Sequence, residues 1–259
     1  MIQQQRHAQI LAHLADHEFM SVEEAVELLN VSPATVRRDF NQLAQENLVE
    51  RTRGGTRRAR SANFSIMPFN LREIRHSKEK EALARKAVTF LNPGDVMFVD
   101  GGTTTFHLST CLPNFPLRII TNSLHLAMQI SDKRYGKTGI EVFLSGGYLY
   151  PQSGQLIGPQ AKASLSQYHA HWAFMSVSGI THEKLYYSNE LLVETDQAMM
   201  YNADKVVILA DHSKVNYRAM YHLSEVNRID YLITSTCREN LEMLKKIEEA
   251  GVQVITVDV

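Results

Sequence analysis

Seven short apolar runs constrain this chain more than any other feature: DVMFVD (95–100), LRIITN (117–122), IEVFLSG (140–146), HWAFMSV (171–177), KVVILAD (205–211), DYLITS (230–235) and VQVITVDV (252–259). Helical or turn-rich segments separate them. Continuous apolar runs of this length are strands buried on both faces, so together they predict an α/β fold with a mainly parallel sheet covered by helices. SKEKEALARKAVTFL (77–91) reads as a capped helix leading into the first run, stopped by Asn92, Pro93 and Gly94. No internal repeat or low-complexity tract competes with this reading.

In such a sheet ligands gather at the carboxyl ends of the strands. The first of these ends is the most informative: Asp100, Gly101 and Gly102 lead directly into Thr103, Thr104 and Thr105. Glycines let backbone amides approach an anion, threonine hydroxyls add donors, and a helix start supplies a favourable dipole. A tight strand-to-helix turn capped by threonine is the plainer alternative. The loop has neither the GxxxxGK[ST] nor the GxGxxG pattern, so a small phosphate ester fits it better than a nucleotide. ITNS (120–123), LSGGYL (144–149) and LADHSK (209–214) offer small polar groups at three further strand ends.

The first sixty residues follow different rules. Residues 4–15 place Ile10, Leu11 and Leu14 on one helical face. Ser21 and Glu24 form a capping box that opens a second helix of about two turns. Ser32 caps a third helix with Pro33 at its first position. The inward stripe of that helix is Val36, Phe40 and Leu43, which leaves Thr35, Arg37, Arg38, Asn41 and Gln42 on or beside the outer side. A short helix, a turn and a longer capped helix make a helix-turn-helix, whose second member lies in a DNA major groove. An ordinary solvated face with Asp39 as acidic neighbour would use the same two arginines differently. LVERTRGGTRRAR (48–60) then reads as a hairpin turning at Gly54-Gly55, with five arginines and no acid from Arg51 to Arg60. Such a wing beside a recognition helix points to DNA, contacted by Ser32, Thr35, Arg37, Arg38 and Asn41 on the helix and by Arg51, Arg53, Arg57 and Arg58 on the wing.

SPATVRRDFNQLAQENLVERTRGG (32–55) resembles the N-terminal signature of the DeoR-type bacterial repressors, and the likeness continues into the C-terminal part. The resemblance implies a winged helix-turn-helix, placed here at 1–58, a linker at 59–76 and an effector-sensing α/β domain at 77–259 related to ribose-phosphate isomerases. It implies a repressor of a carbohydrate-catabolism operon, released by a phosphorylated sugar or sugar acid. The family's Asp-x-Gly-Thr-Thr, Thr-Asn-Ser, Gly-Gly and Asp-His-Ser-Lys elements carry over to Asp100, Gly102, Thr103, Thr104, Asn122, Ser123, Gly146, Gly147 and Lys214, with Gly101 and Thr105 in the same loop. SVSGI (176–180) departs from it, putting Ser176 and Ser178 where relatives often carry glycine and an acid, and Asp196 stands where a lysine often precedes the Ala-Met pair. An altered effector preference follows, with Ser178, Tyr186, Tyr187 and Glu194 as residues that shape it; packing explains the tyrosines equally well.

The competing reading is a sugar-phosphate isomerase with an added helical domain. Such an enzyme needs a positioned base, for which Asp100, Glu194 and Asp211 remain once Ser178 is set aside. Composition adds limits. With 44% hydrophobic and 21% charged residues and a net charge of −1, any pull toward nucleic acid is local. MIQQQRHAQILAHLADHEF (1–19) lacks the continuous apolar core of a signal peptide or membrane span, so a cytoplasmic protein is expected. Cys111 and Cys237 form no CxxC pair, and no motif calls for a cofactor or a metal. A homodimer or homotetramer is expected, because repeated operator half-sites multiply the specificity of one small reading head.

Overall fold

In the computed structural model, which describes residues 3–46, 48–58, 69–134 and 139–258, the chain divides into the units Met1–Ser77 and Lys78–Val259. The first unit contains α1 (Gln3–Asp16), β1 (Phe19–Ser21), α2 (Val22–Leu29), α3 (Pro33–Gln45), β2 (Val49–Thr52), β3 (Gly55–Arg58) and α4 (Phe69–Ile74). Both arms of the capping box form: Glu24 N donates to Ser21 Oγ at 3.0 Å and Ser21 N to Glu24 Oε2 at 2.7 Å. Asn30, in left-handed backbone at φ 50, ends α2, and Ser32 and Pro33 start α3 two residues later. Ile10, Leu14, Met20, Val36, Phe40, Leu43 and Val49 share one core. The unit is a winged helix-turn-helix.

Two of its elements carry no sequence signal. β1 pairs antiparallel with β3, so the wing has three strands in the order β1-β3-β2. Only glycine fits at position 55, because a Cβ there would lie 2.3 Å from Met20 O on the partner strand. α4 falls within the expected connector, yet its Leu71 is buried in the core of the first unit. The rest of the connector, 59–68 with Arg60 and Pro68, lies outside the described residues, as does the side chain of Arg58.

The second unit holds α5 (Ser77–Ala87), β4 (Val96–Val99), α6 (Thr103–Phe106), α7 (Leu108–Cys111), β5 (Leu117–Thr121), α8 (Leu124–Arg134), β6 (Ile140–Leu144), β7 (Tyr148–Tyr150), β8 (Gln155–Ile157), α9 (Pro159–Leu165), β9 (Ala170–Ser176), β10 (Gly179–Ile180), β11 (Lys184–Tyr187), α10 (Glu190–Tyr201), β12 (Ala203–Ala210), β13 (Tyr221–Glu225), β14 (Tyr231–Ser235), α11 (Leu241–Glu249) and β15 (Gln253–Val257). All seven apolar runs are strands of one sheet, ordered β15-β14-β12-β9-β4-β5-β6, and every neighbouring pair is parallel. Side chains alternate between two cores, as the pleat requires. Phe98, Ile120, Met175 and Ile208 meet Ala198 and Met199 of α10 on one face. Met97, Val99, Ile119 and Phe174 meet Leu83 and Ala84 of α5 on the other. The small antiparallel pieces β7-β8 and β10-β11-β13 are additions that no apolar run announced. None of the described helices is long and apolar enough to cross a membrane.

The strand order fixes where a ligand can sit. From β4 the chain proceeds outward through β5 and β6, then returns to lay β9 on the opposite side of β4. The reversal opens a crevice at the carboxyl ends of β4 and β9, the usual ligand position in sheets of this type.

Candidate functional site

Asp100, the residue after β4, organises that crevice. Its carboxylate accepts hydrogen bonds from Gly102 N at 3.2 Å, Ser176 N at 2.9 Å, Ser176 Oγ at 2.8 Å and Tyr187 OH at 3.2 Å, and a short one from Thr105 Oγ1. Burial raises its pKa, opposed by these donors, of which Thr105 acts most strongly. With donors on both oxygens it shapes the loop and has no lone pair to spare for abstracting a proton. Gly102 must be glycine, since a Cβ there would meet Ser176 Oγ at 1.8 Å. The Gln155 side chain rests directly against Gly101.

Around this anchor the structure gathers most of the expected effector residues. Thr103, Thr104 and Thr105 are buried. Lys80 of α5, only 3% exposed, donates from Nζ to Thr103 Oγ1 at 3.1 Å. Asn122, at the end of the neighbouring strand β5, is fully buried, and neither its Oδ1 nor its Nδ2 has a hydrogen-bond partner among the described residues. Ser123 is buried beside it, its Oγ accepting from Leu126 N at 3.2 Å to start α8. Gly146 and Gly147 lie in the turn from β6 to β7. One expectation weakens: α6 is four residues long, too short for an appreciable dipole, so attraction for an anion rests on Lys80 and the loop's donors.

Three expected residues are placed differently. Ser178 accepts from Ser188 N at 3.1 Å and braces the turn toward α10. Glu194 stands apart from the buried set, 69% exposed and paired with Lys162 at 3.3 Å. Lys214 sits half-buried in the 3₁₀ turn that follows β12. The buried carboxyl of α10 is Asp196, fully sealed from solvent, with the Tyr187 hydroxyl as a hydrogen-bonding neighbour too loosely placed to close a bond on either oxygen. It lies beside Tyr187 and within the field of Asp100, and burial first, then Asp100, pushes its pKa well up. Tyr187 bridges the cluster, its OH also 2.9 Å from Ser176 O.

On the reading head, Arg37, Arg38 and Asn41 are exposed along α3, Ser32 is exposed at its cap and Thr35 is half-buried. Asp39 does not serve the arginine doublet. It is 1% exposed and points inward, where Arg6 grips it with Nε at 2.6 Å and Nη2 at 3.0 Å and His7 approaches at 3.3 Å. Neither Arg37 nor Arg38 has an ion-pair partner among the described residues, which leaves both for an external anion. The wing arginines divide. Arg53 is exposed at the turn; Arg51 donates to Gly55 O at 2.6 Å and covers the Phe40 ring at 5.3 Å; Arg57 pairs with Glu50 at 2.7 Å.

Residues 6–62 match the family described as the DeoR-like helix-turn-helix domain, and residues 75–236 match the DeoR C terminal sensor domain. The chain belongs to the DeoR family. The HTH-type transcriptional regulator UlaR of Shigella flexneri serotype 5b (strain 8401) is 34% identical over 257 residues, which is 99% of this chain and 100% of that one. UlaR of Escherichia coli O1:K1 / APEC is similar to the same extent, 34% over 99% and 100% of the two chains. Among solved structures, ribose 5-phosphate isomerase A from Methanocaldococcus jannaschii aligns over 54% of this chain and 55% of its own, at 16% identity and a TM-score of 0.37. This DeoR-family protein is a DNA-binding transcriptional regulator and not an enzyme. Asp100 is saturated, Glu194 is exposed and paired, and Asp211 accepts from Ser213 N at 3.0 Å and from Ser213 Oγ, so the acids that an isomerase reading offered as bases are otherwise engaged.

Lys80 is the buried residue of this DeoR-type sensor that sequence reasoning missed, and Asp196, seen in the sequence as a departure from the family pattern, was not read as buried. Lys80 stands in SKEKEALARK, where lysines look like a solvated face; the signal was its position three residues before Leu83 on the buried side of the helix. Asp196 left a fainter one, as an acid two residues before Ala198, which packs on the sheet with Met199.

Proposed function

We propose that the protein is a repressor whose α3 lies in the major groove of an operator, and whose DNA affinity is controlled by a phosphorylated sugar or sugar acid bound in the crevice between β4 and β9. Asn122 carries the effector reading: a fully buried amide with no partner costs stability unless a ligand uses it, and it stands one strand away from Thr103 and the buried Lys80. Lys80 and Thr103 hold the phosphate, and Lys214 adds charge at the neighbouring strand end. On the head, Arg37 and Arg38 contact bases or phosphates, helped by Ser32, Thr35 and Asn41, while Arg51, Arg53, Arg57 and Arg58 track the backbone. The head is 1–58, the sensor 77–259, and the protein acts in the cytoplasm as a homodimer or homotetramer on paired half-sites.

The test joins both halves. Lys80→Met should remove the thermal shift that sugar phosphates give the native protein, because ligand binding to the folded state alone raises stability. The same variant should still hold operator and ignore inducer. Arg37→Ala with Arg38→Ala should do the reverse, losing about 1 to 3 kcal/mol of operator affinity for a bidentate base contact while keeping the thermal shift. Retention of ligand by Lys80→Met, or of operator by the double variant, would remove the corresponding half.

A further inference from the structure

One strand of the sensor shows apolar surface on both of its faces. β7 pairs only with β8, and the outer edge of this two-stranded piece meets no other strand among the described residues. β8 is buried throughout, yet Tyr148 of β7 is 64% exposed and Leu149 42%. Neighbouring strand residues point to opposite faces, so neither side of β7 is covered. Leu144, at the end of β6, is exposed four residues earlier. Asn189 Nδ2 donates to Tyr150 OH at 2.6 Å, which sets β7 beside the start of α10 and its exposed Leu191. Single exposed apolar side chains are ordinary; several on adjoining elements mark a contact surface.

Charge says what covers this surface. Residues 142–161 contain no Asp, Glu, Lys or Arg. In β9 a lack of charge follows from burial, but burial does not account for Tyr148 and Leu149. Loss of charge with tyrosine present is the composition of an interface centre. The charges that bound the run are balanced on the spot: Glu141 pairs with Arg118 at 2.9 Å, and Lys162 with Glu194 at 3.3 Å. Resting on the proposed homo-oligomer, we infer that β7, with Leu144 and Leu191 beside it, is the face through which two copies of this chain meet about a twofold axis. A face that is uncharged in its middle and carries both signs at its rim does not repel its own copy, and a twofold contact needs only one such face per chain. The hairpin is held in place before association. Leu156 N donates to Asn122 O at 2.7 Å, and Gly147 is packed so closely that a Cβ there would lie 2.7 Å from Ile157 O. Little ordering is then lost when the copies meet.

The decisive measurement is the mass of the full-length chain in solution, by light scattering and sedimentation equilibrium at matched concentrations. Tyr148→Glu with Leu149→Glu and, separately, Tyr148→Lys with Leu149→Lys should each lose one twofold step, dimer to monomer or tetramer to dimer, with the circular dichroism spectrum unchanged. Mixed in equal amounts, the two variants should regain the native mass, because opposite charges then meet across the axis. Tyr148→Ser with Leu149→Ser adds no charge and should weaken association about tenfold or more, which keeps the test where a charged variant does not fold. Native mass in all three variants overturns the inference and leaves the homo-oligomer to another face. Dissociation of both charged variants without recovery on mixing also overturns it, since β7 would then meet a different surface. A native chain that is monomeric while it holds operator takes the homo-oligomer down with the inference.

Discussion

Asp39 in the reading head and Asp196 in the sensor are both sealed from water, at 1% and 0% exposure, yet they are built in opposite ways. Asp39 is gripped by the Arg6 fork, with His7 behind it, and is answered within the fold. Asp196 has only the Tyr187 hydroxyl as a loosely placed neighbour, and burial and the charge of Asp100 push its pKa well up. The first fastens α1 to α3 and fixes the face that α3 shows to DNA. The second is left far less satisfied by the fold. Burial alone therefore does not tell how an acid is held; the answering partner does.

The largest effect that can break this comparison is at Asp39. Asp39→Ala leaves the mostly buried Arg6 guanidinium without its partner and should cost the head about 3 kcal/mol, the scale of losing one side of a buried pair. Urea unfolding of the full chain, followed by a probe in the first unit, measures it. Operator affinity should fall too, because α3 loses its anchor to α1. A cost under about 1 kcal/mol would mean that the Arg6 fork is no stronger than an exposed pair, and the contrast with Asp196 would lose its basis.

Asp196→Asn is the opposite case and should stabilise the sensor near neutral pH, and more so above it. The sign follows from the raised pKa. The folded state holds a proton that the unfolded chain releases above its ordinary value of 3.8, so the native protein loses stability as pH rises from there toward the folded pKa. The asparagine variant has no such proton, so the gap between the two should widen with pH and close near pH 4. Thermal melts from pH 4 to 9 would show it. A gap that is flat, or that shrinks with rising pH, would make Asp196 an ordinary ionised acid.

The same contrast explains what could be read from the sequence. The five inner strands were legible because burial on both faces demands unbroken apolar runs, the half-exposed edge strands β6 and β15 because they are apolar too, and α2 and α3 because Ser21, Glu24, Ser32 and Pro33 mark their starts chemically. β1 was not, since three residues carry no periodicity and its pairing depends on Gly55 approaching Met20 across more than thirty residues. The turn from β4 into α6 was visible in Gly101 to Thr105, because those residue types serve the backbone locally. Lys80 was hidden, and the burial of Asp196 was, because a charged residue on a helix reads as solvated until the packing of that helix is known. Glu194 and Asp196 could not be told apart for the same reason: two residues apart, they lie on opposite sides of α10, one in water and one sealed.

The smallest effect belongs to a pair that is hardly buried at all. Glu50 and Arg57 meet across the wing with side chains 36% and 46% exposed, so Glu50→Gln should change stability by less than about 1 kcal/mol. DNA binding is where the variant should be felt. Arg57 must leave Glu50 to reach a phosphate, so the broken ion pair offsets part of the attraction to the DNA. Without the carboxylate the arginine starts free, and a like-charge neighbour of the DNA backbone is gone. Operator and non-specific DNA should both bind several-fold tighter at low salt, on the scale of one exposed pair, with the advantage shrinking as salt screens it. The slope of log affinity against log salt tells whether the phosphate interaction itself is new. If native Arg57 already swaps partners, the slope stays nearly the same; if Glu50 keeps it off the DNA, the slope steepens by about one ion. Unchanged affinity for both DNAs at every salt concentration would take Arg57 out of the interface and leave Glu50-Arg57 as a bond internal to the wing.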